Sequence, residues 1–304
     1  WYFQQLTRMP LLSSRRKSLS ILHSLPNKWL FNVESVNPPS AMLYQHSIGQ
    51  KNMKKILLPG SALALFFLAL PASAFTPAGQ DIAYNVNGED FQGYFITGGE
   101  NAKGSVLIVH DWDGLDDYER QRADMLADEG YDVFAVDLYG EGNRPQEVDA
   151  KRAATNRLYQ DRERMRALTL GGLEQAREQG AAEQTVIMGY CFGGAVTLEI
   201  ARSGEADNIA AYASFHGGLT TPEGQAYASE TAPLLIAHGG ADSSVSLADV
   251  ATLAQELETA GVTYEVGIYS GAPHAFSVFG SDAYHERADQ RSWATFNAWL
   301  DEVL

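Results

Sequence analysis

The sequence predicts one α/β domain with a mostly parallel central sheet and helices on both of its faces. Short apolar runs rich in β-branched residues alternate with longer helical patterns from about residue 80 to the end of the chain. Such alternation is typical of a parallel sheet, because each connection between parallel strands needs a helix-length crossover. The 230 residues after position 74 are enough for one sizeable domain with a core of its own.

Each element has its own sequence signal. In chain order the predicted elements are a hairpin over 82–86 and 91–96, a strand over 105–109, a helix over 116–129, a strand over 133–136, helical sequence over 147–179, a strand and helix over 185–202, strands over 209–215 and 233–237, a helix over 246–261, a strand over 263–269 and a final helix. Asn87-Gly88 is a favoured hairpin turn. Asp116 with Glu119 resembles a capping box, and Ser246 is expected to cap the helix that Gly261 ends. A break is expected near Asp161.

The run Val186–Met188 leads into Gly189-Tyr190-Cys191-Phe192-Gly193 and resumes as a small-residue helix. This pattern is typical of a nucleophile elbow with cysteine at its centre, because glycines on either side remove Cβ atoms that a sharp strand-to-helix turn would crowd. The N–H of Phe192 would be an unpaired donor at a helix N-terminus, able to stabilise a thiolate or an oxyanion. Taken alone, the motif also fits a glycine-rich turn around a buried, inert cysteine.

Two further chemically suitable side chains follow strands. Asp242 comes after the strand over 233–237, and His274 comes after the last strand. Parallel sheets place ligands beyond the carboxyl ends of their strands, so both side chains are expected near Cys191. The chain order cysteine, aspartate, histidine is the order of nucleophile, acid and base in α/β-hydrolases. A thiol would attack a carbonyl, an imidazole would take its proton, and a carboxylate would fix the tautomer of the imidazole.

Three other histidines also follow predicted strands: His110, His216 and His238. We interpret them as turn or packing residues, because His274 alone follows the last strand. His216-Gly217-Gly218 imitates the glycine-rich oxyanion loop of esterases, but it lies after the elbow, where that loop does not occur.

The sequence resembles the dienelactone hydrolase family of α/β-hydrolases over roughly residues 80–302. The resemblance rests on four motifs in the right order: Asp137-Leu138-Tyr139-Gly140, Gly189-Tyr190-Cys191-Phe192-Gly193-Gly194 and the contexts of Asp242 and His274. It implies an α/β-hydrolase fold and a triad of Cys191, Asp242 and His274, with Cys191 as the nucleophile. It also implies an oxyanion hole formed by the backbone N–H groups of Phe192 and Trp112, and no metal or organic cofactor.

The sequence departs from the family pattern at two places. The family holds its resting thiol with a glutamate, where this chain has Asp111, which is one methylene shorter; Asp111 is therefore the candidate for positioning the thiol. The founding lactonase of the family binds its substrate's carboxylate with two arginines, one of them four residues after the histidine, where this chain has Val278. A replacement cation could come only from the group Arg162, Arg164 and Arg166, so neutral substrates are expected.

Charge and cysteine content narrow the function classes. Eight of the 22 basic residues and one of the 38 acidic residues precede Phe75, so the remainder carries a net charge of −23. Such a surface repels phosphate backbones and anionic lipids, which argues against nucleic-acid or peripheral membrane binding. The single cysteine excludes an internal disulfide.

The first 74 residues are expected to lie outside the folded domain. Residues 1–52 are basic, rich in serine and without sustained apolar periodicity, and are expected to be an unstructured upstream or targeting segment, with an organellar transit peptide as an alternative. Residues 53–74 have the order of a signal peptide: Lys54-Lys55, an apolar run, and Ala72-Ser73-Ala74 at the cleavage site. A secreted or periplasmic protein beginning near Phe75, free of the membrane after cleavage, is therefore predicted. An uncleaved anchor is the minor alternative, because the apolar run is shorter than a spanning helix.

These observations predict a hydrolase, with residues 75–304 as its α/β-hydrolase domain, that cleaves a small-molecule ester, lactone or thioester through an acyl-cysteine intermediate. One alternative is a non-catalytic binding protein on the same fold, although such a protein has no need of all three triad residues. A second is a thiol redox protein, which the lack of a second, resolving cysteine weakens.

Overall fold

The computed structural model describes residues 75–304, in which eight strands form one sheet in the order β1-β2-β4-β3-β5-β6-β7-β8. The strands are β1 (Gln80–Val86), β2 (Glu89–Ile96), β3 (Ser105–Val109), β4 (Asp132–Val136), β5 (Thr185–Tyr190), β6 (Ile209–Phe215), β7 (Leu234–Gly239) and β8 (Tyr264–Tyr269). β2 pairs antiparallel with β1 and with β4, and the other neighbours pair in parallel. The carboxyl ends of β3 to β8 therefore share one edge of the sheet.

Helices cover both faces of this sheet. They are α1 (Asp117–Asp128), α2 (Val148–Gln160), α3 (Arg162–Glu178), α4 (Phe192–Ser203), α5 (Leu247–Ala260) and α6 (Glu286–Val303). Strand β3 supplies both cores: Leu107 and Val109 pack with residues of α2 to α5, whereas Val106 and Ile108 pack with residues of α1 and α6. Every side chain of β3 is buried, as a continuous apolar run in a parallel sheet predicts.

The predicted fold class is confirmed, and the helix boundaries agree with their sequence signals. Asp116 and Glu119 form the capping box of α1, and Ser246 with Asp249 forms that of α5. Asp161 separates α2 from α3 and caps α3 through its carboxylate. β7 is longer than predicted and includes His238.

The predicted upstream segment (1–52) and signal peptide (53–74) lie outside the described residues. Within residues 75–304, none of the helices has the length and apolar character needed to cross a bilayer.

Candidate active site

Cys191 occupies the sharp turn between β5 and α4. Its backbone has φ +50° and ψ −110°, a conformation that L-residues adopt rarely and that is found mainly at functional sites. A Cβ on Gly193 would lie 2.1 Å from the carbonyl oxygen of Val109, and one on Gly189 would lie 2.3 Å from the carbonyl carbon of Gly193. Only glycine fits at these two positions, so the turn packs tightly against β3 and holds Cys191 at the carboxyl edge of the sheet.

The three residues of the predicted triad lie together. His274 Nε2 is 3.0 Å from the sulfur of Cys191, and His274 Nδ1 is 2.8 Å from Oδ2 of Asp242. The carboxyl group of Asp242 is fully buried, and its Oδ1 accepts hydrogen bonds from the backbone N–H groups of Ser244 and Val245 at 2.7 and 2.9 Å. Asp242 is thus fixed by its own loop, and His274 bridges the thiol and the carboxylate.

The electrostatic environment favours a neutral thiol at rest. Burial, followed by the charge of Asp111, raises the pKa of Cys191 to about 12, although a backbone hydrogen bond from Phe192 acts in the opposite direction. The thiol therefore needs a base in direct contact before it can react at neutral pH, and His274 is in that position.

Two backbone N–H groups are the predicted donors of the oxyanion hole. Phe192 is the first residue of α4, so its N–H has no partner within the helix. Trp112 follows β3, and within residues 75–304 its N–H makes no hydrogen bond, while its carbonyl oxygen accepts from the hydroxyl of Tyr139 at 3.1 Å. The N–H of Phe192 is directed at the sulfur, and the N–H of Trp112 has no partner within the described residues, so the assignment of both to an oxyanion hole stays a prediction.

Asp111 is buried beside the elbow, but within the described residues it makes no hydrogen bond to Cys191. Its Oδ1 accepts from the backbone N–H of Asp113 at 3.0 Å, and its own N–H donates to Glu119. Burial, a hydrogen bond with the Asp113 side chain and the charge of Glu119 raise the pKa of Asp111 well above its usual range. Asp111 raises the pKa of the thiol only in its ionised form, and its thiol-positioning role stays a prediction.

Aromatic rings surround the nucleophile. The rings of Tyr139 and Tyr159 both contact Phe192, with centroid distances of 6.1 and 5.3 Å, and the pKa of each phenol is raised by burial and by the neighbouring Cys191. The sequence could have indicated Tyr139, because it follows β4 at the same edge of the sheet. Tyr159 lies on α2 and carries no such signal. Phenol rings therefore line the site beside Phe192.

The remaining strand-end histidines are buried. His110 accepts a hydrogen bond from the backbone N–H of Leu138 at 3.2 Å, which agrees with its interpretation as a turn residue. His238 lies inside β7, and both of its ring nitrogens lack a partner within the described residues. His216 lies against His274, with ring centroids 5.4 Å apart.

A mostly parallel sheet, a strained cysteine at a strand-to-helix turn, and a histidine and aspartate after later strands together define an α/β-hydrolase. Comparison with known families is more specific. The model of the dienelactone hydrolase family matches residues 91–304, and the chain belongs to this family.

Similar proteins agree with this assignment. The chain is 26% identical over 224 residues to a "putative carboxymethylenebutenolidase" of Salmonella typhimurium, covering 70% of this chain and 83% of the relative. It is 24% identical over 208 residues to a protein of the same description in Escherichia coli K12, covering 65% and 76%. A crystal structure of a dienelactone hydrolase-like promiscuous phosphotriesterase from metagenomic libraries is similar with a TM-score of 0.67 and 25% identity, covering 74% of this chain and 98% of the other. A "putative dienelactone hydrolase" of Klebsiella pneumoniae gives a TM-score of 0.62 at 25% identity, covering 73% and 97%. The protein is accordingly a hydrolase of esters or lactones.

Proposed function

We propose that this protein cleaves a neutral carboxylic ester, lactone or thioester through an acyl-cysteine intermediate, with Cys191 as nucleophile, His274 as base and acid, and Asp242 as the residue that orients His274. The observation that carries the proposal is the position of His274, whose two ring nitrogens contact the thiol at 3.0 Å and the carboxylate at 2.8 Å.

The first half-reaction forms the acyl-enzyme. The thiol proton of Cys191 passes to Nε2 of His274, and the sulfur electron pair forms a bond to the carbonyl carbon. The carbonyl π pair moves to oxygen, and the N–H groups of Phe192 and Trp112 bind the resulting oxyanion. As the carbonyl re-forms, the bond to the leaving oxygen or sulfur breaks, and the proton on His274 Nε2 neutralises the leaving group. Asp242 stabilises the imidazolium that exists between these steps.

The second half-reaction releases the acid. A water molecule gives a proton to His274 Nε2 while its oxygen attacks the thioester carbon, and the same two N–H groups bind the new oxyanion. Collapse expels the sulfur of Cys191, which recovers its proton from His274. The raised pKa of the thiol supports this order, because it favours the protonated sulfur at rest, so that proton transfer to His274 accompanies attack.

The alternative function is that of a binding protein on an α/β-hydrolase fold. A binding protein needs neither a strained cysteine nor a histidine in contact with both a thiol and a buried carboxylate, so the geometry favours the enzyme.

The proposal is tested by the hydrolysis of 4-nitrophenyl acetate and of a neutral δ-lactone. The variants are Cys191→Ala, Cys191→Ser and His274→Ala. His285→Ala serves as the matched control, because His285 caps α6 and, within the described residues, makes no hydrogen bond to a triad residue. We expect Cys191→Ala to abolish turnover and His274→Ala to lose activity by about 10³-fold or more, because triad members act as a unit. Cys191→Ser should retain a trace, since a hydroxyl is the weaker nucleophile. Turnover by Cys191→Ala near the wild-type rate would contradict the mechanism.

A further inference from the structure

A chain of hydrogen bonds connects the loop of His274 to helix α1 through a buried histidine. His216 follows β6, and its Nε2 lies 2.8 Å from the hydroxyl of Ser277, which lies 2.8 Å from the hydroxyl of Tyr118 on α1. Arg122, one turn further along α1, donates Nε to the Tyr118 oxygen at 3.4 Å and Nη2 to the carbonyl oxygen of Ser277 at 2.8 Å. Ser277, three residues after the proposed base His274, thus connects this loop by hydrogen bonds to His216 and to α1.

Arg122 can only donate, so Tyr118 accepts from it. Each hydroxyl can also donate one proton, and the arrangement that ends on a neutral His216 is the one in which Tyr118 donates to Ser277 and Ser277 donates to Nε2 of His216. His216 is then an acceptor at Nε2, a role that the neutral ring alone can fill. Burial and the charges of His274 and Arg122 lower the pKa of His216 well below its usual range, so this ring stays neutral. The other buried charge on this network is Asp289, which pairs with Arg122.

His216 also forms a wall of the site. Its ring contacts the His274 ring at 5.4 Å with an interplanar angle of 64°, and it contacts Phe276 edge-to-face at 5.3 Å. A neutral aromatic ring beside His274 provides a favourable surface for the imidazolium that forms during the reaction, whereas a second cation would oppose it.

The backbone of this region is strained at three residues. Within the described residues, five non-glycine residues have positive φ, and two of them are asparagines, which tolerate this conformation. The other three are Cys191 (φ +50°), His216 (φ +40°) and Ala275 (φ +60°), which are the nucleophile, the buried histidine and the residue after His274. Such strain persists where the surrounding structure enforces it, and it collects at functional sites.

We propose that His216 is a positioning residue of the active site: with Ser277 and Tyr118 it fixes the ring of His274 in contact with the Cys191 thiol. This inference rests on the proposed function, in which His274 takes the thiol proton. If the hydrogen-bond chain is broken, the loop that carries His274 can shift while the protein stays folded. Proton transfer from the Cys191 thiol to His274 then becomes less frequent.

The test uses the rate at which iodoacetamide alkylates Cys191 in the full-length protein, measured from pH 6 to 9 by intact mass. Alkylation needs the thiolate, and a thiol with a pKa near 12 reacts at neutral pH only when His274 accepts its proton. The variants are Ser277→Ala, which removes only the linking hydroxyl, and His216→Phe, which keeps an aromatic ring and removes the acceptor. Ser281→Ala is the matched control, because Ser281 lies on the same loop and, within the described residues, its hydroxyl hydrogen-bonds to the carbonyl oxygen of Val278 and not to the His216 chain.

We expect Ser277→Ala and His216→Phe each to slow alkylation at pH 7 by about 10-fold, which is part of the rate acceleration that a correctly positioned base provides. The Ser281→Ala control should match the wild type. The double variant should be little slower than the slower single variant, because both changes break one chain. A merely structural role would lower the thermal unfolding midpoint and leave the alkylation profile of the folded protein unchanged.

The inference is overturned if both single variants are folded and alkylate within twofold of the wild type across the pH range. If these variants fail to fold, Tyr118→Phe decides, since it removes only the hydroxyl that contacts Ser277: slower alkylation supports the inference and an unchanged profile overturns it. Because alkylation requires no ester, a protein with this alkylation pattern but no ester turnover would contradict the proposed function and leave the positioning role standing.

Discussion

Arg162 on α3 places Nη1 2.8 Å from Oε2 of Glu199, a fully buried carboxylate on α4. Arg166, one turn along α3, reaches the other oxygen of Glu199 at 2.9 Å. Arg164 points elsewhere and pairs with Glu89, so the three arginines do not share a direction. The sequence indicated these three arginines as the remaining candidates for binding an anionic substrate. Each of them instead pairs with a carboxylate of the protein itself.

The first prediction is a preference for neutral substrates. Val278 is partly buried against the apolar core on the α1 and α6 side of the sheet and offers no charge. A buried carboxylate without a cationic partner costs several kcal/mol. We expect kcat/KM for 4-nitrophenyl butyrate to exceed that for 4-nitrophenyl hydrogen succinate and for dienelactone by ~10-fold or more. The comparison is repeated at high salt, which screens the long-range repulsion from the acidic surface and leaves pocket effects. Equal or better turnover of the two anionic substrates would contradict this prediction.

The second prediction concerns the stability of the Glu199 cluster. Burial alone would raise the pKa of Glu199, but hydrogen bonds from Gln225 and Arg166 and the charges of Arg162 and Arg202 outweigh it and lower the pKa. Glu199→Gln leaves these cations without a buried counter-charge, so the free energy of unfolding should fall by about 3 kcal/mol in urea titrations.

Glu205→Gln is the matched control for that measurement, because Glu205 also pairs with Arg166 but its side chain is 46% exposed. Its effect should stay below ~1 kcal/mol, as for other surface ion pairs. An equal loss in both variants would mean that burial of the pair is unimportant.

The third prediction follows from the raised pKa of Asp111. The folded state keeps a proton on Asp111 at pH values where the unfolded chain has lost it, so this residue's contribution to stability falls as the pH rises above about 4. Asp111→Asn imitates the protonated form and can still accept from Asp113 N–H. We expect the thermal midpoint of the wild type to fall more between pH 5 and pH 8 than that of Asp111→Asn.

Asp117→Asn is the control for this comparison, because Asp117 is an exposed carboxylate in the first turn of α1. It should follow the pH dependence of the wild type. If Asp111→Asn also follows the wild type, Asp111 carries no excess proton.

The fourth prediction concerns processing and localisation, which rest on residues outside the described part of the chain. From Lys54-Lys55, the apolar run and Ala72-Ser73-Ala74 we expect export and cleavage, so that the mature protein begins at or near Phe75. N-terminal sequencing of protein recovered from the periplasm of a bacterial host measures the site. A soluble product that retains Met53, or that begins within residues 1–52, would refute it.

Much of the fold could be predicted because its strands are nearly continuous apolar runs and its helices begin at strong caps. The apolar pattern does not predict the last two residues of β7, because His238 and Gly239 are not apolar. In the structure both pair with β8 and are buried. Arg122 and Glu119 were missed as buried residues because their burial depends on partners from distant segments, which helical periodicity does not reveal.

The proposed triad could be predicted because each of its members follows a strand, and parallel topology gathers strand ends at one edge. The contact between His216 and Ser277 could not, since the two residues are 61 positions apart and a strand-end histidine is usually a packing residue. Likewise, the sequence could place Asp111 beside the elbow but could not indicate that the Asp113 backbone would hold its carboxylate.

The central claim, an acyl-cysteine intermediate on Cys191, is tested most directly by intact mass after rapid mixing with 4-nitrophenyl acetate, followed by peptide mapping. The wild type should gain one acetyl group, about 42 Da, on the peptide that contains Cys191, and lose it with time as water hydrolyses the thioester. Cys191→Ala should gain none, and its esterase activity should be absent. Wild-type turnover without any acylated Cys191 peptide, or an acetyl group carried on another residue during turnover, would contradict the account.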